Sequence, residues 1–371
     1  MLIERKKFFT MKISIVTCQN ADNYGARLQA FALSDWLARH GHEVEVVDYR
    51  PHYMDFRVKL WEWPGGSLRR WAKLILQWRR RARAIRRHAM FSDFSARHIP
   101  LSARCYHSVE ALRSDPPKAD LYLAGSDQIW NTTFRNGRDA AFYLDFGTPE
   151  TRRVSYAASF ATRAIAPGWA GFVKERLGRF DRISVREASG VRLLHTLGFE
   201  GCEVADPAFL LSAADWDRLA EPGDAAGCIL VYDVLGSRDL RHVAERLSRL
   251  WHCRMVVLGA ETRHYRGTRL PYVSPERFVG LMREARCVVS NSYHATVFSM
   301  IYERDFLVVP REDGLNDRMT DLLDSLGLGL RMVSPDSADE LLTDAVDYTR
   351  VRTVLHERRA ESERFLESVT R

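Results

Sequence analysis

A histidine follows a buried strand at the start of a predicted helix. The stretch "CVVSNSYHATVFSM" is an apolar run, then a few polar residues, then a helical pattern. We expect the strand to end near Ser290 and the helix to be capped by Asn291 or Ser292. His294 then lies in the first helical turn, where the helix dipole disfavours imidazolium and the ring can accept a proton. A histidine that only fills space in the core is the alternative interpretation.

Arginines follow other predicted strands. The stretch "ISVREASG" ends with Arg186 and Glu187, and a guanidinium there can fork onto a carboxylate or a phosphate. A surface arginine and glutamate pair is the alternative. The stretch "FLVVPREDGLNDRMTDLL" places Arg311 after a strand and Arg318 at a helix start. We expect one of these two arginines to complete an anion clamp and the other to be solvated.

Two further loops carry polar and aromatic side chains. The loop "CQNADNYGARLQ" supplies Asn23, Tyr24 and Gly25 at the position of a phosphate-binding turn. It lacks the GxGxxG pattern, which argues against a dinucleotide site. The loop "LAGSDQIWN" forms either a plain turn or a wall of a cleft, and we favour the wall. Its candidate residues are Ser126, Asp127, Gln128, Trp130 and Asn131.

The elements that position these residues are short apolar strands alternating with helices, which is typical of parallel sheets covered by helices. The pattern restarts after the stretch "EPGDAAG". The expected fold is therefore α/β, with two Rossmann-like domains that face a cleft. We predict a disordered extension at residues 1–10, an N-terminal domain at 11–220, and a C-terminal domain with C-terminal helices at 221–371.

Composition narrows the class of protein. The chain has 371 residues, of which 46% are hydrophobic, and its net charge of +7 favours anionic partners. Six scattered cysteines are typical of reduced thiols in a cytoplasmic protein. No apolar run approaches the roughly 20 residues of a membrane span, and no secretion signal is recognised. No element carries metal-ligand spacing, so we expect no metal site.

A basic stretch at residues 69–88 has amphipathic helical spacing. It carries nine basic residues and no acidic one between Arg69 and Arg87, with tryptophan and aliphatic residues on one face. Such a helix suits an anionic membrane surface. Packing of the apolar face against the N-terminal domain is the alternative. Nucleic-acid binding is not expected, because no recognition module accompanies the arginines.

Several stretches, taken in order, resemble the polysaccharide pyruvyl transferase family from about residue 12 to about residue 333. They are "NADNYGARLQAFAL", "HEVEVVDYRP", "GSDQIWN", "SYAASF", "ISVREASG", "VADPAFLL", "SNSYHATVFSM" and "NDRMTDLL". The resemblance implies a GT-B-like fold. It also implies transfer of a pyruvyl group from phosphoenolpyruvate to two hydroxyls of a sugar, which forms a ketal. Phosphoenolpyruvate would be a co-substrate, with no further cofactor.

The resemblance also implies roles for individual residues. Arg186 and His294 match active-site positions, and Arg311 or Arg318 matches a basic residue that helps hold the donor. Arginines can bind the carboxylate and phosphate of the donor, while His294 takes a proton from the attacking hydroxyl.

The remaining candidates divide between the two substrates. We place Asn291 and Ser292 on the donor side of the cleft, and the loop residues of the N-terminal domain on the acceptor side. The acid that protonates the methylene carbon stays open, with Glu187 and Asp127 as candidates.

Two other functions remain open from the sequence. One is a GT-B glycosyltransferase that uses a nucleotide sugar. The other is a non-catalytic, membrane-docked component of a polysaccharide assembly complex. For the enzyme, we expect a sugar acceptor that can be lipid-linked, in a cytoplasmic protein that can lie at the inner face of the membrane.

Overall fold

A computed structural model describes residues 10–54, 78–259, 264–312 and 315–371. Nearly all of the predicted disordered extension, residues 1–9, lies outside the described residues. So do residues 69–77, the first part of the predicted basic helix.

The N-terminal half is built on a parallel five-stranded sheet of order β3-β2-β1-β4-β5. Its central strands are short and apolar, and their inner residues are buried because helices cover both faces. The strands are β1 (Lys12–Val16), β2 (Glu43–Tyr49), β3 (Leu101–Tyr106), β4 (Leu121–Ala124) and β5 (Arg152–Ser155).

Some helices of the N-terminal half connect these strands, and others follow the last strand of the sheet along the chain. The first helix begins where the Asn23 side chain accepts a hydrogen bond from the Ala26 amide at 3.2 Å. The helices are α1 (Tyr24–Arg39), α2 (Trp78–His98), α3 (Val109–Ser114), α4 (Ala170–Leu177), α5 (Ala188–Leu197) and α6 (Ala213–Asp217). A short parallel pair, β6 (Ser184–Val185) and β7 (Cys202–Glu203), flanks α5.

The C-terminal half is built on a second parallel sheet, of order β10-β9-β8-β11-β12. Its strands are β8 (Ile229–Tyr232), β9 (Met255–Leu258), β10 (Thr268–Leu270), β11 (Cys287–Ser290) and β12 (Asp305–Val308). Its helices are α7 (Arg238–Trp251), α8 (Pro275–Glu284), α9 (Tyr293–Ile301), α10 (Asp317–Ser325), α11 (Asp339–Thr343) and α12 (Tyr348–Val369).

The two sheets share one topology. In each, the first strand lies at the centre, the second and third follow on one side, and the fourth and fifth lie on the other. A switch point between the first and fourth strands results, and ligands bind there at the carboxyl ends of the strands. The prediction of an α/β fold with two Rossmann-like domains is confirmed.

Aromatic contacts hold the two halves together. The ring of Tyr24 stacks on Phe278 of α8 with centroids 4.3 Å apart, and its hydroxyl donates to the Val273 carbonyl at 3.1 Å. The last helix contacts both halves: Tyr348 donates to the Ser299 carbonyl at 3.2 Å, whereas the Ser362 hydroxyl accepts from the Ala205 amide. A chain division between residues 220 and 221 stays a prediction.

The described part of the basic stretch forms the first half of α2. Further along the helix, Phe91 and Phe94 are fully buried, while Ile85 is 52% exposed. The apolar residues of α2 therefore divide between the protein core and the surface. Within the described ranges, no helix combines the length and the apolar composition needed to cross a membrane.

Candidate functional site

Loops from the two switch points line one cleft of about 460 Å³. Because the carboxyl ends of β1 and β4 face those of β8 and β11, several predicted residues meet there. The N-terminal half contributes Asn23, Asp127 and Gln128, and the C-terminal half contributes Ser292, His294, Arg311 and Arg318.

His294 is held between its own helix and a buried carboxylate. The Ser292 hydroxyl caps α9 by accepting from the Ala295 amide at 3.5 Å, which places His294 second in the helix. The Nε2 atom of His294 lies 3.4 Å from Oδ2 of Asp206. The ring therefore lies against a buried carboxylate at the start of its own helix.

Asp206 was not among the predicted site residues. It is buried, and its other oxygen caps a 3-10 helix by accepting from the Ala208 amide at 3.0 Å. Burial alone would raise the pKa of Asp206. Interactions with His294 and with the Arg186 guanidinium outweigh burial and hold that pKa well below its usual range. The sequence signal was an aspartate before Pro207, which marks a helix cap rather than a contact with a distant histidine.

Gly25 permits the position of the His294 ring. A Cβ atom at Gly25 would lie 1.9 Å from Nδ1 of His294, far inside van der Waals contact. The ring therefore occupies the space that a side chain would fill. Gly25 therefore contributes close approach to the His294 ring rather than a polar contact.

Two arginines lie close to the ring of Tyr293. The guanidinium carbons of Arg186 and Arg318 lie 4.6 and 5.2 Å from the ring centroid. Burial raises the pKa of Tyr293, although both cations act to lower it. The phenol is therefore protonated at neutral pH, with two guanidinium groups close to its ring.

Arg186 lies beneath the cleft rather than on its wall. Its side chain is fully buried, and Nη1 donates to Asp206 at 2.7 Å and to the Ser126 hydroxyl at 3.3 Å. Burial opposes its charge, but Tyr293, Asp206 and Glu187 raise the pKa of Arg186. Arg186 therefore positions Asp206 and Tyr293, and the structure does not bring it to the cleft surface.

Arg318 does reach the cleft, and its charge is poorly compensated. Burial, followed by repulsion from Arg186, lowers the pKa of Arg318 to about 10. With the amide oxygen of Gln128 turned toward it, that oxygen accepts from both terminal nitrogens at 2.9 and 2.8 Å. Across the described residues, no carboxylate lies within 4.0 Å of this guanidinium. A buried cation with a neutral partner is suited to an anionic ligand.

Three residues predicted in the N-terminal loops lie outside the cleft. The Tyr24 hydroxyl binds the backbone of Val273, as described above. Trp130 is fully buried and donates from Nε1 to the Phe142 carbonyl at 3.0 Å. The Asn131 side chain accepts from the Thr133 amide at 3.1 Å and stabilises its own turn. These residues support the walls of the cleft from behind.

Two predicted polar residues stabilise backbone segments instead of lining the cleft. Asn291 connects the β8 and β11 loops, because its side chain accepts from the Val234 amide and donates to Asp233, both at 3.0 Å. Glu187 accepts from the Ser159 hydroxyl at 2.9 Å and from two backbone amides. Burial raises the pKa of Glu187. Of the two predicted acid candidates, only Asp127 faces the cleft.

The cleft also contains residues that the sequence did not single out. Phe134 is 44% exposed and lines the N-terminal side together with Tyr53, Met54 and Asn136. These residues lie in irregular segments, so no periodicity marks them. An aromatic residue in a polar loop, as at Phe134, was the available signal.

The fold and the site define an α/β protein of the GT-B type with a cationic cleft between two Rossmann-like domains. The chain belongs to the polysaccharide pyruvyl transferase family, whose sequence profile matches residues 23–313. Among curated proteins, no significant match is found.

Solved structures with similar folds are distant in sequence. A Listeria monocytogenes protein described as a UDP-N-acetylglucosamine 2-epimerase is 11% identical, with a TM-score of 0.50 over 95% of this chain and 91% of that chain. The UDP-GlcNAc 2-epimerase of Methanocaldococcus jannaschii is 10% identical, with a TM-score of 0.49 over 97% and 99%. At this identity the likeness concerns the fold alone.

Proposed function

We propose that the protein transfers the pyruvyl group of phosphoenolpyruvate to two hydroxyls of a sugar in a polysaccharide or its precursor. The products are a pyruvate ketal and inorganic phosphate. The main support is that Arg318, without a carboxylate partner in the described structure, and the His294 and Asp206 pair meet at one cleft. Membership of the family supports the same reaction class.

The donor side of the cleft suits a small molecule with a carboxylate and a phosphate. Arg318 and Arg311 line this side, and Ser292 stands at the start of α9. Backbone N–H groups at a helix start bind anions, and guanidinium groups match the oxygens of phosphate and carboxylate. No cofactor is needed, because the leaving phosphate of the donor drives the transfer.

His294 acts as the base for the first hydroxyl. This hydroxyl adds to C2 of the enol and gives its proton to the ring, while the methylene carbon gains a proton. Phosphate then leaves C2 and the second hydroxyl bonds to the same carbon, with its proton carried away by phosphate. Asp206 orients the ring and stabilises the imidazolium form.

Tyr293 supplies the proton to the methylene carbon. It lines the cleft beside His294, and its raised pKa keeps the phenol protonated at neutral pH. The two guanidinium groups near the ring stabilise the phenolate that remains after donation, until the proton that His294 took from the hydroxyl returns to it and restores both residues. Asp127 also lines the cleft, but its Oδ1 atom accepts a hydrogen bond from the Gln128 amide at 2.8 Å, so we assign the donor role to Tyr293.

The acceptor enters from the N-terminal side, where Phe134 offers an exposed aromatic face. A lipid-linked sugar would reach this side if residues 69–88 dock at the anionic inner face of a membrane. Binding to anionic vesicles that weakens as salt rises supports this location, whereas absent or salt-insensitive binding contradicts it.

The experiment measures phosphate release from phosphoenolpyruvate with a panel of free and lipid-linked galactosyl, glucosyl and mannosyl acceptors. Loss of the base in His294→Ala should reduce turnover by about 10²-fold to 10⁴-fold. Arg318→Met should raise the KM for phosphoenolpyruvate, and Tyr293→Phe should lower kcat while donor binding is kept. His195→Ala, at an exposed histidine of α5, is the matched control.

Acceptor-dependent phosphate release by the parent protein that is kept in the control and reduced in the three site variants supports pyruvyl transfer. Transfer from a nucleotide sugar, with no response to phosphoenolpyruvate across the panel, contradicts it and favours a glycosyltransferase.

A further inference from the structure

A second cavity, of about 570 Å³, lies on the N-terminal half away from the cleft. Its lining includes Phe146, Gly147 and Pro149, in the segment that precedes β5. It also includes Arg153, near the start of β5. The cavity is therefore at the amino ends of the parallel strands, whereas the cleft is at their carboxyl ends. The proposed transfer reaction does not use this cavity.

Arginines converge on one buried carboxylate at its edge. Asp145 is 6% exposed, and its Oδ2 atom accepts from Nη2 of Arg113 at 2.7 Å. Arg179 binds the other oxygen of Asp145. The Nε atom of Arg176 lies 3.5 Å from Oδ2. One carboxylate thus receives three guanidinium groups.

Arg153, which also lines the cavity, donates hydrogen bonds to carbonyl groups instead of to a carboxylate. Arg153 donates to the carbonyls of Leu144, Phe146, Thr148 and Thr151 at 2.7 to 3.1 Å. Asp181 accepts from the backbone amide of Arg153 at 2.7 Å. In the described part of the chain, no carboxylate lies within 4.0 Å of the Arg153 guanidinium. Burial lowers the pKa of Arg153, as expected for a cation without a close anion.

Positive charge is in excess around this cavity. Besides Asp145, Glu175 lies 3.4 Å from Arg176 and 4.0 Å from Arg179. The lining itself holds three arginines, Arg113, Arg153 and Arg179, and one carboxylate, Asp145, which leaves an excess of two positive charges in the lining. Asp181 and Glu150 act on the charge of Arg153 from more than 4.0 Å away. Arg113 and Arg179 have side chains 45% and 48% exposed, so both can reach a ligand from solvent.

We propose that this cavity binds the phosphoryl group of a small phosphate monoester. A phosphate monoester carries a charge close to −2 at neutral pH, which matches the excess of positive charge. Nη1 of Arg113 and Nε of Arg179 have no hydrogen-bond partner within the described structure, and guanidinium donors suit phosphate oxygens. The cavity volume leaves room for a small organic group beside the phosphate.

The test is calorimetric titration with glucose 1-phosphate, performed on an Arg318→Met protein so that the cleft does not contribute its own anion site. We expect one binding event per chain, weakened at least about tenfold by Arg113→Ala or Arg179→Ala, the loss expected for one charge-assisted hydrogen bond. Arg266→Ala removes one positive charge from an exposed position on the C-terminal half and should leave binding unchanged.

A second variant and a second measurement keep the test valid if the alanine variants fold poorly. Arg179→Lys keeps the positive charge but loses the bidentate hydrogen-bond geometry of the guanidinium group. It should weaken binding less than Arg179→Ala does. Protection of the Arg318→Met protein against thermal unfolding by glucose 1-phosphate should follow the same order.

Three outcomes overturn the proposal. They are no binding to the Arg318→Met protein, equal binding by the Arg113 and Arg179 variants and the Arg266 control, or equal affinity for glucuronate, a sugar acid that carries one carboxylate and no phosphoryl group.

Discussion

Adding one methyl group at Gly25 tests the position of His294 without removing any functional group. In Gly25→Ala the new Cβ would lie 1.9 Å from Nδ1 of His294. Ordinary van der Waals contact begins at 3.4 Å, so the ring must move by about 1.5 Å. Asp206 holds Nε2 on the other side of the ring at 3.4 Å, and the movement disturbs this contact.

The effect on activity should exceed the effect on stability. A misplacement of about 1 Å at a reacting group can cost about 10²-fold in rate, so we expect kcat/KM to fall by about 100-fold or more. Alanine in a helix is favoured over glycine by about 1 kcal/mol, while overpacking costs about 1 to 3 kcal/mol. The free energy of unfolding should therefore change by no more than about 2 kcal/mol.

The assay is phosphate release from phosphoenolpyruvate, measured beside urea unfolding of the same protein. Gly171→Ala is the matched control, because Gly171 is also the second residue of its helix, α4, and has no atom within 4 Å of the added Cβ. It should keep full activity. A Gly25→Ala protein with the activity of the control would show that the observed His294 position is not needed for turnover.

Substitutions at two further positions distinguish a residue that supports the site from a residue that contacts the substrate. Asp206→Asn removes the nearer of the two carboxylates beside buried Arg186, while Glu187 stays 4.0 Å from its Nε atom, and urea unfolding should show a loss of about 3 kcal/mol. Because the pKa of Asp206 is depressed, its contribution to stability is present above its ordinary value near about 4 and is lost as pH falls through the folded-state pKa. The acid-induced loss of stability should therefore be shallower in Asp206→Asn, and equal slopes would contradict this reasoning. Phe134→Ala should raise the KM for the sugar acceptor and leave the KM for phosphoenolpyruvate unchanged, while Phe134→Trp should keep acceptor binding; equal changes in both KM values would argue against an acceptor platform.

Local signals were sufficient to predict the elements around His294. The apolar run from Cys287 ends at Ser290, and Ser292 caps the next helix, as expected from the sequence. Burial in a parallel sheet requires apolar residues at successive positions, and a helix start requires an acceptor for free amides, so both leave a local pattern. The two sheets could be predicted for the same reason.

The sequence could not tell which polar residues at a strand end face the cleft. Ser126 lies inside while Asp127, the next residue, lines the cleft with a φ angle of 77°. Asn291 and Ser292 differ in the same way. The side on which each side chain lies depends on backbone angles in a short irregular segment, which residue type hardly constrains.

Contacts between distant segments were also beyond the sequence. Asp206 lies in the stretch "VADPAFLL", and nothing near it in the chain indicates that His294 lies 3.4 Å away. Arg186 and Arg318 looked equivalent as arginines near helix starts. The structure separates them, because one pairs with Asp206 and the other faces the cleft.

The site is a property of the contact between the two halves. His294 belongs to the C-terminal half, Gly25 to the N-terminal half, and Asp206 to the segment that joins the two sheets. The same helix that presents Gly25 also carries Tyr24, whose ring and hydroxyl bind the C-terminal half. A movement of α1 relative to α9 would therefore separate Gly25 from His294 while each sheet kept its own core. Docking of the halves thus fixes the base, and the interface around Tyr24 serves catalysis as well as stability.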